Sequence, residues 1–430
     1  MAALRSAAVL CLLAAAGRAE MSPDERQRHL ASFDYVWRTI HDKHFDPNHL
    51  KKIDWDGARA TFRPRIETAD SAEAVRDILN NMIGRLGQTH FGVVPGVVYG
   101  KIESNPSGGG ASPGIDLRVL DGDVTVIRVD PGGGAEAAGV KPGWVAETIA
   151  GTPVAPVVAE IRKQFANSTL FDIVALKGLL GRLEGGPGSR IAIGFRTPAG
   201  STKLEVERRA PRGGIATFGH FPAQHIWIET KKIGPPGHQA GYVRFNMFFD
   251  PSRLMPMFND LVSGCITGCA GIVIDLRGNP GGIGAMSMGM AGWFVSGGNR
   301  KLGTMTMQGN ALNFAISPRA QTFDGPVAIL IDGASASTSE ILAAGMQDLG
   351  RARLFGTRTA GAALPSVFER LPNGDGFQYA TADYVSAGGN VLEGAGVIPD
   401  EVIRLTRAAL EAGQDPVLDR ALQWIQEQTK

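Results

Sequence analysis

The chain has 430 residues, 43% of them apolar and 20% charged, with a formal net charge of +1. That is enough for two or three domains with buried cores. The balanced charge gives no reason to expect nucleic acid or an anionic membrane surface as a partner.

The N-terminus carries the pattern of a secretory signal at residues 1–19. Arg5 supplies the positive start, Ala7 to Ala16 the apolar stretch, and Gly17-Arg18-Ala19 the small-x-small cleavage site. The mature chain would begin near Glu20 and be periplasmic or secreted. The apolar stretch is short for a membrane span, so an uncleaved anchor is the lesser alternative, and no later run approaches roughly 18 continuous apolar residues. No stable membrane span is expected after cleavage. Cys11 would leave with the signal. Cys265 and Cys269 would remain and are expected to pair, because two cysteines behind a secretory signal suggest a disulfide and i,i+4 spacing permits the approach.

Residues 20–105 read as a helical segment. Leu30, Phe33, Val36, Trp37 and Ile40 follow helical spacing, Asp46-Pro47-Asn48 interrupts it, and a further helix is expected from about Ser71 to Leu86, stopped by Gly87. Gln88-Thr89-His90-Phe91-Gly92 then leads into a short strand at Val93-Val94. A Gly/Ser/Pro-rich link from Ser104 to Pro113 marks a boundary. Beyond it the hydrophobic period changes to two. Gly114 to Val119 and Val124 to Val129 form a predicted hairpin, followed by a turn, a short Ala-rich helix and another turn within Asp130 to Trp144, and a third strand from Val145. Residues 155–183 are a predicted helical insertion, and strands at Ile191–Phe195 and Lys203–Val206 close the unit near Arg209.

From about residue 240 strands and helices alternate, the pattern of an α/β core. Gly271 to Leu276 reads as a buried strand that runs into Arg277-Gly278-Asn279-Pro280-Gly281-Gly282. Glycines at the carboxyl end of a strand let backbone N–H groups point at a ligand. The Walker spacing is absent, so this is not a phosphate loop. Val327 to Ile331 is a second buried strand. It enters Gly333-Ala334-Ser335-Ala336-Ser337-Thr338-Ser339-Glu340, and a helix follows. A serine in such a turn lies beside unpaired helix N–H groups, which suits a nucleophile and its oxyanion. The S-x-x-E spacing of Ser337 and Glu340 fits a plain capping box equally well. His41, His44, His220, His225 and His238 show no metal-ligand pattern, and no metal or organic cofactor is expected.

The segment from about 106 to 210 resembles a PDZ domain of the bacterial protease type, through Ala137-Ala138-Gly139-Val140-Lys141-Pro142-Gly143, with Trp144 where an aspartate is usual. That resemblance implies a carboxylate-binding loop at Ser112-Pro113-Gly114-Ile115. Four pieces, in order and spacing, resemble the tail-specific (C-terminal processing) protease and tricorn core family of serine peptidases. They are Asp275 to Gly282, Ala334 to Glu340, Met346-Gln347-Asp348 and Glu393 to Asp400. The resemblance implies a ClpP/crotonase-like α/β protease core at 211–430, carrying an inserted PDZ-like domain at 106–210 behind the N-terminal helices. It implies a nucleophile at Ser337 and an oxyanion hole from the N–H of Gly281 or Gly282 with that of Thr338. Many members carry a lysine base where this chain has Ala362, and no lysine occurs between Ser337 and Lys430. The tricorn-like branch instead uses histidine and glutamate, which implies His90 as base, Glu393 as its acid and Thr89 assisting. The expected partners are protein or peptide substrates, and oligomerisation is compatible with the sequence. The alternative is a noncatalytic retinoid, lipid or peptide carrier on the same fold.

Overall fold

A computed structural model describes residues 21–96, 110–166 and 168–429. The predicted signal at 1–19, and most of the Ser104–Pro113 link, lie outside the described residues.

Four helices open the chain: α1 (Pro23–Lys43), α2 (Pro47–Lys52), α3 (Trp55–Thr68) and α4 (Ala72–Gly84). Their starts follow from capping chemistry. Ser22 and Glu25 form a reciprocal box, and the Asp46, Asp54 and Ser71 side chains accept first-turn N–H groups. Pro47, read as a break, in fact begins α2, where its missing N–H costs nothing. Strand β1 (Gly92–Val94) follows.

The next unit comprises β2 (Ile115–Leu120), β3 (Asp123–Val129), α5 (Gly134–Ala137), β4 (Val145–Ile149), β5 (Thr152–Pro153), α6 (Ala155–Gln164), α7 (Phe171–Leu183), β6 (Arg190–Thr197) and β7 (Gly200–Glu207). Its antiparallel sheet runs β2-β3-β4-β6-β7, leaving β2 as an edge strand with α7 packed beside it. Leu117, Val126, Ile193, Phe195 and Val206 alternate inward and meet Leu179 and Leu183 of α7, so this unit has its own core.

A small hairpin, β8 (Gly214–Ala216) and β9 (Gln224–Ile226), leads to the main body. There β10 (Ile228–Ile233), β11 (Ala240–Phe245), α8 (Pro251–Cys265), β12 (Gly271–Asp275), α9 (Gly284–Ala291), β13 (Lys301–Met307), β14 (Asn310–Ala315), β15 (Val327–Ile331), α10 (Thr338–Asp348), β16 (Arg353–Gly356), β17 (Ser366–Arg370), β18 (Gly376–Ala380), β19 (Asp383–Ser386), β20 (Glu401–Val402), α11 (Arg407–Glu411) and α12 (Pro416–Gln428) follow one another. The central sheet has the order β10-β11-β12-β15-β16-β20 and is parallel except for β10. Both faces are covered, which explains the unbroken apolar runs of β12 and β15. Ile272, Ile274, Ile329 and Ile331 point into the layer with α8, α9 and α10. Val273, Ala328 and Leu330 point the other way, onto Val417, Ala421 and Ile425 of α12.

The N-terminal layer is not self-contained. Strands β17 and β18 leave the main body and pair as β1-β18-β17, and Leu371, Phe377 and Tyr379 complete the core under α1 to α4. This long-range pairing carries the loop before β1 to the main body. Helical periodicity within 22–95 gives no sign of it, because the partner strand lies far along the chain. No described helix is long and apolar enough to cross a membrane.

Candidate active site

Strands β12 and β15 are parallel neighbours, so the turns at their carboxyl ends, 276–283 and 332–337, lie side by side. Asp332 fastens them together. Its Oδ1 accepts the N–H of Gly278 at 2.8 Å and of Ala334 at 3.1 Å, and its Oδ2 accepts Nε of Arg118 on β2 at 2.9 Å.

Ser337 occupies the last position of the second turn with φ 56° and ψ −118°, outside the helix and strand wells. Such a conformation costs on the order of 1–3 kcal/mol and persists only where surrounding bonds enforce it. Here they do. The Ser337 N–H donates to Ala362 O at 2.8 Å and to Glu340 Oε2 at 2.9 Å. Glu340 is wholly buried, and it also accepts Ala362 N–H at 3.0 Å, Gly361 N–H at 2.8 Å and the Thr359 hydroxyl at 2.6 Å. Burial pushes its carboxyl up, to about 7, while the four donors pull the other way by holding the anion. The sequence showed Glu340 only as a capping partner. Its second task, clamping 359–362 onto the serine turn, depends on a segment some twenty residues away.

Gly281 has φ 94°, and a Cβ there would lie 2.7 Å from Ala336 O, Ser337 Cβ and Thr338 N, so only glycine lets the two turns touch. Its N–H donates to Asn279 Oδ1 at 2.9 Å. That corrects one expectation: the Gly281 N–H is committed inside the turn and is not a free oxyanion donor. The N–H groups of Gly282 and Thr338 have no acceptor among the described residues, and the Thr338 hydroxyl donates to Gly282 O at 2.8 Å, which holds the two residues together.

The pairing of β1 with β18 brings the 88–91 loop to this centre. His90, with φ 60°, lines the same cleft as Ser337, and no direct hydrogen bond joins them. Glu393 does not touch His90; Thr89 stands between them. The Thr89 hydroxyl donates to Glu393 Oε2 at 2.8 Å and lies 2.8 Å from His90 Nδ1, while the Thr89 N–H reaches Glu393 Oε1 at 2.7 Å. A hydroxyl has one proton, so Thr89 Oγ accepts from His90 Nδ1–H. That fixes the tautomer and leaves Nε2 with its lone pair. Burial, and then the charge of Lys177, push the His90 imidazole down to about 4. Glu393 is shifted upward by burial, against the Thr89 and Ala363 donors that favour its anion.

The shared cleft has a volume of about 680 Å³, and Thr89, His90, Lys177, Gly282, Ser337 and Thr338 lie on its wall among mainly apolar neighbours. Ala362 lines it too.

The predicted carboxylate loop lies elsewhere, in a cavity of about 360 Å³ beside β2 and α7 that Ser112, Gly114 and Ile115 line. Two of its amides are engaged: Ser112 N–H donates to Arg209 O at 3.0 Å, and Gly114 N–H to Ser112 Oγ at 3.3 Å. Cys265 and Cys269 form a disulfide at the end of α8. No cluster of three or more His, Cys, Asp or Glu able to hold a metal occurs among the described residues.

Comparisons with known proteins agree with this architecture. Residues 239–403 match Peptidase family S41, and residues 26–84 match the Tricorn protease C1 domain. The carboxyl-terminal-processing protease of Picosynechococcus sp. is 27% identical over 395 residues, covering 90% of this chain and 85% of that protein. The chloroplastic C-terminal processing peptidase of Tetradesmus obliquus is 25% identical over 375 residues, covering 85% and 75%. Among solved structures, the photosystem II D1 C-terminal processing protease superposes with a TM-score of 0.60 at 22% identity, covering 92% of this chain and 96% of that one. Mature CPAF complexed with lactacystin gives 0.64 at 16% identity, covering 94% and 99%. The chain thus carries a Peptidase family S41 domain and a Tricorn protease C1 domain, resembles the carboxyl-terminal-processing proteases, and is a serine-type peptidase.

Proposed function

We propose that this chain is a periplasmic or secreted serine endopeptidase that cleaves protein substrates with Ser337 as nucleophile and His90 as base. The observation that carries this reading is the chain Glu393–Thr89–His90, whose hydrogen bonds leave the Nε2 lone pair of the imidazole free on the wall of the cleft that holds Ser337. Ser337 Oγ attacks the peptide carbonyl and His90 Nε2 takes its proton. The Gly282 and Thr338 N–H groups receive the oxyanion, where fixed backbone donors are worth roughly 3–4 kcal/mol each. His90 then protonates the leaving amine, and a water, deprotonated in turn by His90, releases the acyl group. Substrate has to draw His90 and Ser337 into contact, as is common in resting enzymes. Glu393 acts on His90 through the Thr89 hydroxyl. The division into 20–105, 106–210 and 211–430, with a ClpP/crotonase-like core and a PDZ-like insert, belongs to the same reading. The disulfide and the signal-like N-terminus support the location.

The test is incubation of the mature chain with an unfolded protein and mass spectrometry of the products. Internal cleavage supports the assignment, and intact substrate over a range of pH refutes it.

A neutral imidazole is required, and His90 is held neutral down to about pH 4. The acid limb of kcat/KM should therefore lie nearer 4 than 6.5, and a limb at or above 6.5 would contradict this environment. Stability follows with a definite sign. As pH falls below 6.5 the unfolded chain binds a proton on His90 that the folded chain refuses until about 4, so this residue progressively destabilises the fold across that window and is neutral above it. Denaturant midpoints at about pH 7 and about pH 5 should differ less for His90→Gln than for the wild type.

The edge strand β2 beside α7, with the cavity between them, supports a groove that takes a substrate's C-terminal tail as an added strand. Peptides with free C-termini should be cleaved faster than their amides. Equal rates, with the groove intact, would remove tail recognition from this reading.

A further inference from the structure

Helix α7 belongs to the inserted unit, yet one face of its first two turns forms a wall of the catalytic cleft. Leu170, Ile173, Val174 and Lys177 all line that cleft, and their spacing of i, i+3, i+4, i+7 is a single helical stripe. Three of the four are apolar. The fourth is a lysine with no hydrogen bond or ion pair to any described residue. No aspartate, glutamate or arginine lines the cleft, and His90 is neutral at ordinary pH, so Lys177 is its one fixed charge among the described residues. The remaining wall includes Phe221, Met247, Phe314 and Phe368.

Apolar surroundings have two effects on an ammonium group. They desolvate it in part, which shifts the Lys177 pKa downward, although the side chain is still exposed to solvent in the open cleft. They also weaken screening, so an opposite charge that enters the cleft is attracted more strongly than it would be on an open surface. The Lys177 charge is felt within the cleft already, since it helps to keep His90 deprotonated. Lys177 is exposed in the open cleft, so a bound peptide that covers it and is apolar throughout would strip water from the cation without replacing it, whereas one carboxylate at the right position would satisfy it.

We propose that Lys177 is a specificity-determining residue of this cleft, pairing with a carboxylate on an otherwise apolar substrate segment. The carboxylate comes from an acidic side chain or from the substrate's own C-terminus. This rests on the peptidase reading at Ser337, and it places part of the substrate-reading surface on the inserted unit.

The experiment uses matched apolar fluorogenic peptides in which one residue at a time is Glu, Gln or Lys, each made as free acid and as C-terminal amide. The mature wild type should favour Glu over Gln at one position by about tenfold in kcat/KM. If the terminal carboxylate is the ligand, the free acid should be favoured over the amide instead. Lys177→Gln should bring the responding ratio close to one, Lys177→Arg should keep it, and Lys177→Glu should invert it in favour of the Lys peptide. Ratios that are the same in the wild type, Lys177→Gln and Lys177→Glu overturn the proposal. Should the wild type cleave no peptide and no unfolded protein, the peptidase reading fails separately. The same peptides, labelled and titrated onto Ser337→Ala and Ser337→Ala/Lys177→Glu by fluorescence anisotropy, then score Lys177 without turnover: a Glu preference that inverts supports it, and one indifferent to residue 177 overturns it.

Discussion

Ser337→Ala is expected to lower the rate of peptide cleavage by at least ~10³-fold while leaving the fold in place. Both halves follow from the geometry. The bonds that hold residue 337 in its strained conformation run through its backbone N–H, to Ala362 O and Glu340 Oε2, and alanine makes them as well as serine does. Alanine also shares serine's cost at φ 56°. The melting midpoint should thus stay close to that of the wild type, within the ~0.5 kcal/mol common for substitutions that break no buried contact. What disappears is the hydroxyl on the cleft wall. Residual activity near the wild-type level, with circular dichroism unchanged, would remove Ser337 from the mechanism.

Glu340→Ala should have the largest effect on stability of any single change in the centre. It strands two buried N–H groups, those of Gly361 and Ala362, together with the Thr359 hydroxyl, and leaves the Ser337 N–H with Ala362 O alone. At roughly 1–3 kcal/mol for each donor left unsatisfied, partly relieved by water entering the gap, a loss on the order of 4 kcal/mol is expected. Glu340→Gln is the more discriminating variant. Each carboxylate oxygen accepts two donors, so whichever oxygen becomes an NH₂ group faces two donors with a third. Gln should therefore recover only part of the loss. Urea denaturation monitored by tryptophan fluorescence measures both variants. A Gln variant as stable as the wild type would mean that Glu340 is protonated in the native state and already presents a donor.

The sequence displayed those parts of the molecule whose signals are local. The helical stripe of α1, the alternation in β2 and β3, and the two buried strands that end in Gly-rich and Ser-rich turns were all readable from short windows, whereas the helix expected to run to Leu86 ends at Gly84. So were Ser337, His90 and Glu393 as candidates, through their motifs. What escaped was set by contacts between distant segments. Thr89 separates Glu393 from His90 because β1 pairs with β18, a register no local pattern encodes. The Gly281 N–H is consumed by the Asn279 side chain two residues earlier, a turn detail that either glycine could have hosted. Lys177 belongs to no motif, and nothing in its sequence neighbourhood reveals that this face of α7 meets the cleft.

Ala362 has a consequence of its own. Its N–H is held by Glu340 and its carbonyl by the Ser337 N–H, while Ala363 N–H is bound to Glu393 Oε2 at 3.1 Å. The path of the chain at this position is thus fixed by main-chain atoms, while the methyl group sits at the cleft wall in the same buried cluster as Ile173 and Ala336. A position of that kind is a socket: its frame is made of main-chain bonds, so the side chain in it can change while the frame stays, and here the candidate base stands instead on the loop before β1. Two catalytic designs that seem chemically remote would then be separated by point substitutions on one scaffold.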